Sequence, residues 1–228
     1  MPRYDLVLFD ADGTLLDFSR AQEHALMGML KDLSLPVGED TLSVYHQINL
    51  GYWHKLERGE ITRPELVVAR FAELLAHLGA DGNPSVMEDG FQHYFREADF
   101  LIDGAAELCA ALAPHCTLAI ATNGDFRAQK RRVEKSPLKP YISYLIVSDE
   151  AGAAKPSPVF FDFALERCGF SDLSRVLMVG DSLSADMRGG SGYGIDTCWY
   201  NPEALPLPQD FAVTYTVREL APIADIVL

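Results

Sequence analysis

Short apolar runs that stop abruptly at polar clusters constrain this chain more than any other feature. Residues 4–9 read as a strand, and Asp10-Ala11-Asp12-Gly13-Thr14 follows at once. A run without polar alternation suits a strand of a parallel sheet covered on both faces. Similar runs recur at 117–121, 144–147, 176–179 and 196–199. Helical patterns lie between them, at 126–135, 159–168 and 185–190. Alternation of strand and helix predicts an α/β fold built on a doubly wound parallel sheet. Such sheets bind ligands outside the carboxyl ends of their strands. The polar clusters fall there: Asp10 and Asp12, Thr122 and Asn123, Asp149 and Glu150, Asp181 and Ser182.

Residues 18–100 break this alternation. Their pattern is helical, with candidate helices at 21–33, 42–58, 64–78 and 86–96. Gly59 punctuates the second and third, and Thr62 with Glu65 three residues on reads as a capping pair. The expected organisation is a core of residues 1–17 and 101–228, with an inserted all-helical cap domain of residues 18–100. Residues 201–208 are proline-rich and read as a loop. Residues 219–228 read as a terminal helix interrupted near Pro222.

Charge narrows the function classes. The 228 residues include 33 acidic and 19 basic ones, a formal charge of −14. Binding a nucleic acid polymer or an anionic membrane requires Lys and Arg in excess, so neither is expected as a partner. A small anionic substrate stays compatible, provided that a cation or a basic pocket inverts the local field. The first apolar run is too short for a membrane span and lacks a signal-peptide layout. Cys109, Cys116, Cys168 and Cys198 show no paired-ligand spacing and read as buried free thiols. A cytoplasmic location is the default expectation, and no protein partner is implied.

The chemistry-bearing residues sit at strand ends. Asp10 and Asp12 can both face a crevice just past the first strand, and like charges so close need a cation or a shared proton. One use of such a pair is division of labour, one carboxylate attacking and the other carrying a proton. The plainer use is a polar strand cap. Asp181 and Asp186 straddle a turn after another apolar run and can approach one hard metal. Carboxylates without nearby His or Cys favour magnesium over zinc. For Asp186 a helix-start role is the alternative. Thr122 and Asn123 offer a hydroxyl and loop amides to phosphate oxygens, and Lys155, fixed by Pro156, offers a positive charge.

Taken together and in order, Asp10-Ala11-Asp12-Gly13-Thr14, Thr122-Asn123-Gly124, Lys155-Pro156 and Gly180-Asp181 with Asp186 resemble the four motifs of the haloacid dehalogenase superfamily. The resemblance implies a phosphatase acting through an aspartyl-phosphate, with Mg2+ as cofactor. It implies Asp10 as nucleophile and Asp12 as acid and then base. It places the metal among the Asp10 carboxylate, the Asp12 backbone carbonyl and Asp181, with Asp186 supporting it directly or through water. Phosphate contacts fall to Ala11, Asp12, Thr122, Asn123 and Lys155. The dehalogenases lack an acid two residues after the nucleophile, so Asp12 points away from that activity. Phosphomutase chemistry shares the first motif and stays open.

The insert resembles the helical cap of subfamily I, and residues 53–66 with Arg70-Phe71 look like the cap of pyrimidine 5′-nucleotidases. Residues 192–202 and 15–18 are similar to the same branch. The implied substrate is a nucleoside 5′-monophosphate of the dUMP, dTMP or UMP type. Tyr52 and Trp53 are candidates to stack on a base, with His46, Asn49 or Arg70 as hydrogen-bond partners. For each, packing inside the helical bundle is the competing reading. A sugar-phosphate or phosphoglycolate phosphatase on the same machinery is the alternative enzyme, and a non-catalytic binding module is the third reading. The presence of nucleophile, acid and metal carboxylates argues against the last.

Overall fold

A computed structural model describes residues 2–228; Met1 of the expected segment 1–17 lies outside them. Packing divides the chain into two compact units. One runs up to Phe18 and resumes over Asp99–Leu228, and the other is Ser19–Ala98.

The first unit is built on a six-stranded, all-parallel sheet. Its strands are β1 (Leu6–Phe9), β2 (Thr117–Thr122), β3 (Tyr144–Val147), β4 (Val176–Gly180), β5 (Asp196–Tyr200) and β6 (Tyr215–Val217), in the spatial order β3-β2-β1-β4-β5-β6. The chain first builds outward from β1 on one side, then returns to build on the other. β1 is therefore where the order reverses, the point at which open α/β sheets bind ligands outside the carboxyl ends of their strands. All four residues of β1 are fully buried. Their side chains alternate between faces. Val7 and Phe9 join a cluster that includes helix α5 (Ala105–Leu112) and helix α10 (Ile223–Val227). Leu6 and Leu8 join a second cluster with Phe160, Phe161, Ala164 and Leu165 of helix α8 (Pro158–Cys168). Burial on both faces is why the strand shows no polar alternation. All four cysteines are free, with Cys109, Cys168 and Cys198 buried.

The second unit comprises most of α1 (Phe18–Asp32), then α2 (Thr41–Glu57), α3 (Arg63–Leu78) and α4 (Pro84–Phe95). The Thr62 backbone N–H donates to the Glu65 carboxylate at 2.7 Å, closing the capping box at the start of α3. Tyr45 stacks on Phe71 with centroids 5.4 Å apart, and Phe91 on Phe95 at 5.5 Å.

Three local expectations differ from the structure. The helical stretch expected at 185–190 divides into a π-helical turn, Leu183–Met187, and helix α9 (Arg188–Tyr193). The wider turn seats the buried Asp186 side chain, whose carboxylate accepts from the Ser182 N–H at 3.1 Å; such turns recur at functional sites. The terminal helix is only Ile223–Val227, because Pro222 stands at its start. Strand β6 and helix α5 were not among the expected elements. β6 has three residues, and only Val217 is buried.

Leu8 sits at the centre of the sheet with no exposed surface. Leu8→Ala is expected to lower stability by about 2–5 kcal/mol, through lost burial and the cavity left behind. Urea unfolding will show this as a lower midpoint with an unchanged slope; a midpoint equal to the parent's would contradict the packing described.

Candidate active site

Asp10 lies one residue past β1, with its N–H bonded to the Val179 carbonyl at 2.8 Å. The β1–β4 pairing thus fixes its backbone beside the loop that carries Asp181. Ala11 is fully buried and its carbonyl accepts from Leu15 and Leu16, folding the loop back on itself. Gly13 is held at φ +85, and a Cβ there would lie 2.5 Å from Asp181 Oδ2. Only glycine meets both demands. At Gly180 a Cβ would fall 2.1 Å from Asp186 Oδ2.

Asp10, Asp181 and Asp186 each bring one carboxylate oxygen within 4.8 Å of the others'. Lys155, 2% exposed, donates to Asp10 Oδ1 at 2.5 Å, to Asp186 Oδ1 at 2.6 Å and to the Ala121 carbonyl at 2.6 Å. Its three ammonium protons are therefore all engaged. Asn123 and Lys155 clasp each other through the backbone of the latter. Lys155 N–H donates to Asn123 Oδ1 at 2.8 Å, and Asn123 Nδ2 donates to the Lys155 carbonyl at 3.0 Å. The peptide between Lys155 and Pro156 is cis. Asp186 is 1% exposed. Asp181 opens to solvent on one side; the Thr14 hydroxyl donates to its Oδ1 at 3.3 Å, and Trp199 Nε1 donates to its backbone carbonyl at 2.9 Å.

One ammonium against three carboxylates leaves excess negative charge. Desolvation raises the Asp10 carboxyl well above the usual range; Lys155 opposes this while Asp186 and Asp181 add to it. Desolvation and then Asp186 push Asp181 up to about 7. Burial alone would lower Lys155, but the charges of Asp10 and Asp186 outweigh it and raise its pKa. An acid cluster with surplus charge, oxygen donors only and an opening at Asp181 fits a hard divalent cation such as Mg2+.

Thr122 ends β2, is 2% exposed, and accepts from the Gly124 N–H at 3.0 Å. Asp12 does not share its carboxylate with the acid cluster. Its Oδ1 accepts from Arg132 Nη1 at 2.5 Å and its Oδ2 accepts from Gln129 Nε2. Both partners lie on α6 (Phe126–Lys135) and are fully buried. The sequence reading missed them, because Gln129–Lys135 looks like a solvated helix face. The available signal was spacing: Ala128, Gln129, Arg132 and Val133 share one side of the helix. Asp149 and Glu150 are exposed and stand outside the cluster.

The candidate specificity residues lie in the helical unit and divide into two groups. Asn49 and Arg70 are 2% and 4% exposed and occupied by each other: Arg70 Nη1 donates to Asn49 Oδ1 at 2.8 Å, and Asn49 Nδ2 donates to Gln22 Oε1 at 3.0 Å. Arg70 also pairs with Glu88 and lies 4.9 Å from the ring centroids of both Phe71 and Phe91. Their competing reading, packing inside the bundle, describes their contacts. Tyr52 and Trp53 are half-buried, beside Lys55 and Arg63 respectively. His46 is exposed and its Nδ1 lies 3.3 Å from Gln22 Nε2. An open recess of about 370 Å³ on this unit is lined by Gln47, Ile48, Tyr52, Lys55 and Glu73 among others, and by none of the acids.

The raised carboxyls predict a pH dependence. Between about pH 4 and pH 7 the folded, metal-free protein holds protons that the unfolded chain has released, so stability falls as pH rises across that window. A bound cation removes the repulsion that those protons relieved. Magnesium should therefore raise Tm more at pH 8 than at pH 5, as thermal melts in magnesium and in chelator at both values will show. Equal shifts would contradict the charge balance described.

Comparison with known proteins identifies the family. The family model for haloacid dehalogenase-like hydrolases matches residues 4–194. The HAD-hydrolase YfnB of Bacillus subtilis is 37% identical over 96% of this chain and 94% of its own. Its crystal structure, bound to magnesium, superposes with a TM-score of 0.94 at 36% identity, covering 98% of both chains. The pyrimidine 5′-nucleotidase YjjG of Escherichia coli is 34% identical over 96% of this chain and 95% of its own. The pyrimidine 5′-nucleotidase PynA of Streptococcus pneumoniae is likewise 34% identical, over 97% and 94%. A family model that matches residues 4–194, with four of the six strands, and relatives this similar along nearly the full length, show that the chain belongs to the haloacid dehalogenase-like hydrolases.

Proposed function

We propose that this protein is a magnesium-dependent phosphomonoesterase that works through an aspartyl-phosphate on Asp10, with pyrimidine nucleoside 5′-monophosphates as its substrates. The observation that carries the reading is the meeting of Asp10, Asp181 and Asp186 around Lys155 at the point where the strand order reverses. The names of two relatives, both pyrimidine 5′-nucleotidases, support the substrate class. The magnesium of the YfnB structure supports the cofactor.

In this reading Asp10, Asp181 and the Asp12 backbone carbonyl hold Mg2+, with Asp186 behind them. When bound, the ion neutralises charge on the phosphoryl group and on the acids around it. The Asp10 carboxylate attacks phosphorus, and the bond to the ester oxygen breaks. Asp12 delivers a proton to the departing oxygen, which leaves as an alcohol. Asp12 then takes a proton from water, whose oxygen attacks the aspartyl-phosphate. Inorganic phosphate departs and the Asp10 carboxylate is restored. Lys155 fixes the Asp10 carboxylate and offsets phosphoryl charge, while Thr122 and the loop amides at Ala11, Asp12 and Asn123 receive the phosphate oxygens. Such transfer depends mainly on positioning and charge neutralisation. Substrate choice is assigned to the helical insert, residues 18–100, with Tyr52 and Trp53 as the stacking candidates.

Phosphate release from 4-nitrophenyl phosphate, with magnesium and with chelator, tests the activity. Turnover is expected only with the metal, and Asp10→Asn should reduce it at least 1,000-fold, within the rate range that covalent phosphoryl transfer supplies. Substantial turnover by that variant would remove the nucleophile assignment. A panel of nucleoside and sugar monophosphates tests the substrate class, with dUMP, dTMP and UMP expected to give the highest kcat/KM.

A further inference from the structure

We infer that Gln129 and Arg132 form a clamp that positions Asp12 for proton transfer; the inference rests on the phosphomonoesterase reading above. The two side chains stand one helical turn apart on α6 and approach the loop after β1 from a distant part of the sequence. Each takes a different oxygen of the Asp12 carboxylate. Two donors on two oxygens fix the plane of the carboxylate as well as its place. Gln129 Nε2 also lies 3.5 Å from Thr122 Oγ1, which ties Asp12 to the end of β2.

Placing a guanidinium where it has no exposed surface is costly unless a carboxylate compensates it. The Asp12 side chain, about one-fifth exposed, is an ion-pair partner 2.5 Å away. Gln129 and Arg132 present only N–H donors to Asp12. Each carboxylate oxygen has a second lone pair, which stays available to a leaving oxygen or to water. The clamp thus orients the group without consuming its capacity for proton transfer. Gln129 and Arg132 are positioning residues: they act through Asp12 rather than on the substrate.

The test compares kcat/KM for an alkyl phosphate with that for 4-nitrophenyl phosphate, whose leaving group needs no proton. This ratio reports the step in which the ester oxygen departs. General acid catalysis supplies about 10²–10⁴-fold. Arg132→Met should therefore reduce kcat/KM for the alkyl ester about 10- to 100-fold more than for the aryl ester. Gln129→Met should do the same to a smaller extent, and Arg132→Lys should recover part of the loss. In an Asp12→Asn background, Arg132→Met should add no further discrimination between the esters. Equal losses on both esters in folded variants would overturn the clamp, as would loss of fold in both Met variants, which would mark a structural tether. Failure of the underlying reading looks different: Asp10→Asn would keep its turnover, or the parent would hydrolyse neither ester.

Discussion

The placement of the Lys155 ammonium is the interaction on which the site depends. It reaches Asp10 after β1, Asp186 in the π-helical turn after β4, and the Ala121 carbonyl in β2. Those three elements adjoin because β1 lies between β2 and β4. A buried ammonium is tolerated only when its charge and its donors are satisfied. Here both are, and the same contacts draw acids from separate loops to one spot. Asn123 holds the backbone of Lys155 from the β2 side, so the lysine is fixed at both ends.

The surplus of acids over bases at that spot links structure to chemistry. Three carboxylates close to one ammonium cannot all ionise without a counter-charge. Gly13 and Gly180 let the acids approach backbone that any side chain would block. In the proposed reaction a phosphate monoester brings further negative charge, so a cation would serve the protein and the substrate together. An overall charge of −14 is then no obstacle to an anionic substrate.

Both units also bury polar side chains away from the acids. In the helical unit Gln22, Asn49, Arg70 and Glu88 form a connected network against aromatic rings. In the sheet unit Gln129 and Arg132 hold Asp12. In each case helical spacing alone does not say whether a polar residue faces water or a partner. Asn49 and Arg70, candidate substrate contacts in the sequence, bond to each other inside the bundle. Arg132, which the sequence reading did not single out, turns inward to Asp12.

By itself the sequence determined the sheet architecture and the four polar loops, because unbroken apolar runs must be covered on both faces and their polar ends must lie at the crevice. Asp10 and Asp181 were legible for that reason, since each follows such a run, and Lys155 through the likeness of Lys155-Pro156 to a family motif. Tertiary structure decided the rest. β6 became a strand because its backbone pairs with β5, although three residues with one buried carry little pattern. The Asp186 turn widened to seat a buried carboxylate, and Asp12 found partners on α6, some 120 residues along the chain. Pairing of buried polar groups depends on which surfaces meet, and periodicity along a single segment carries no record of that.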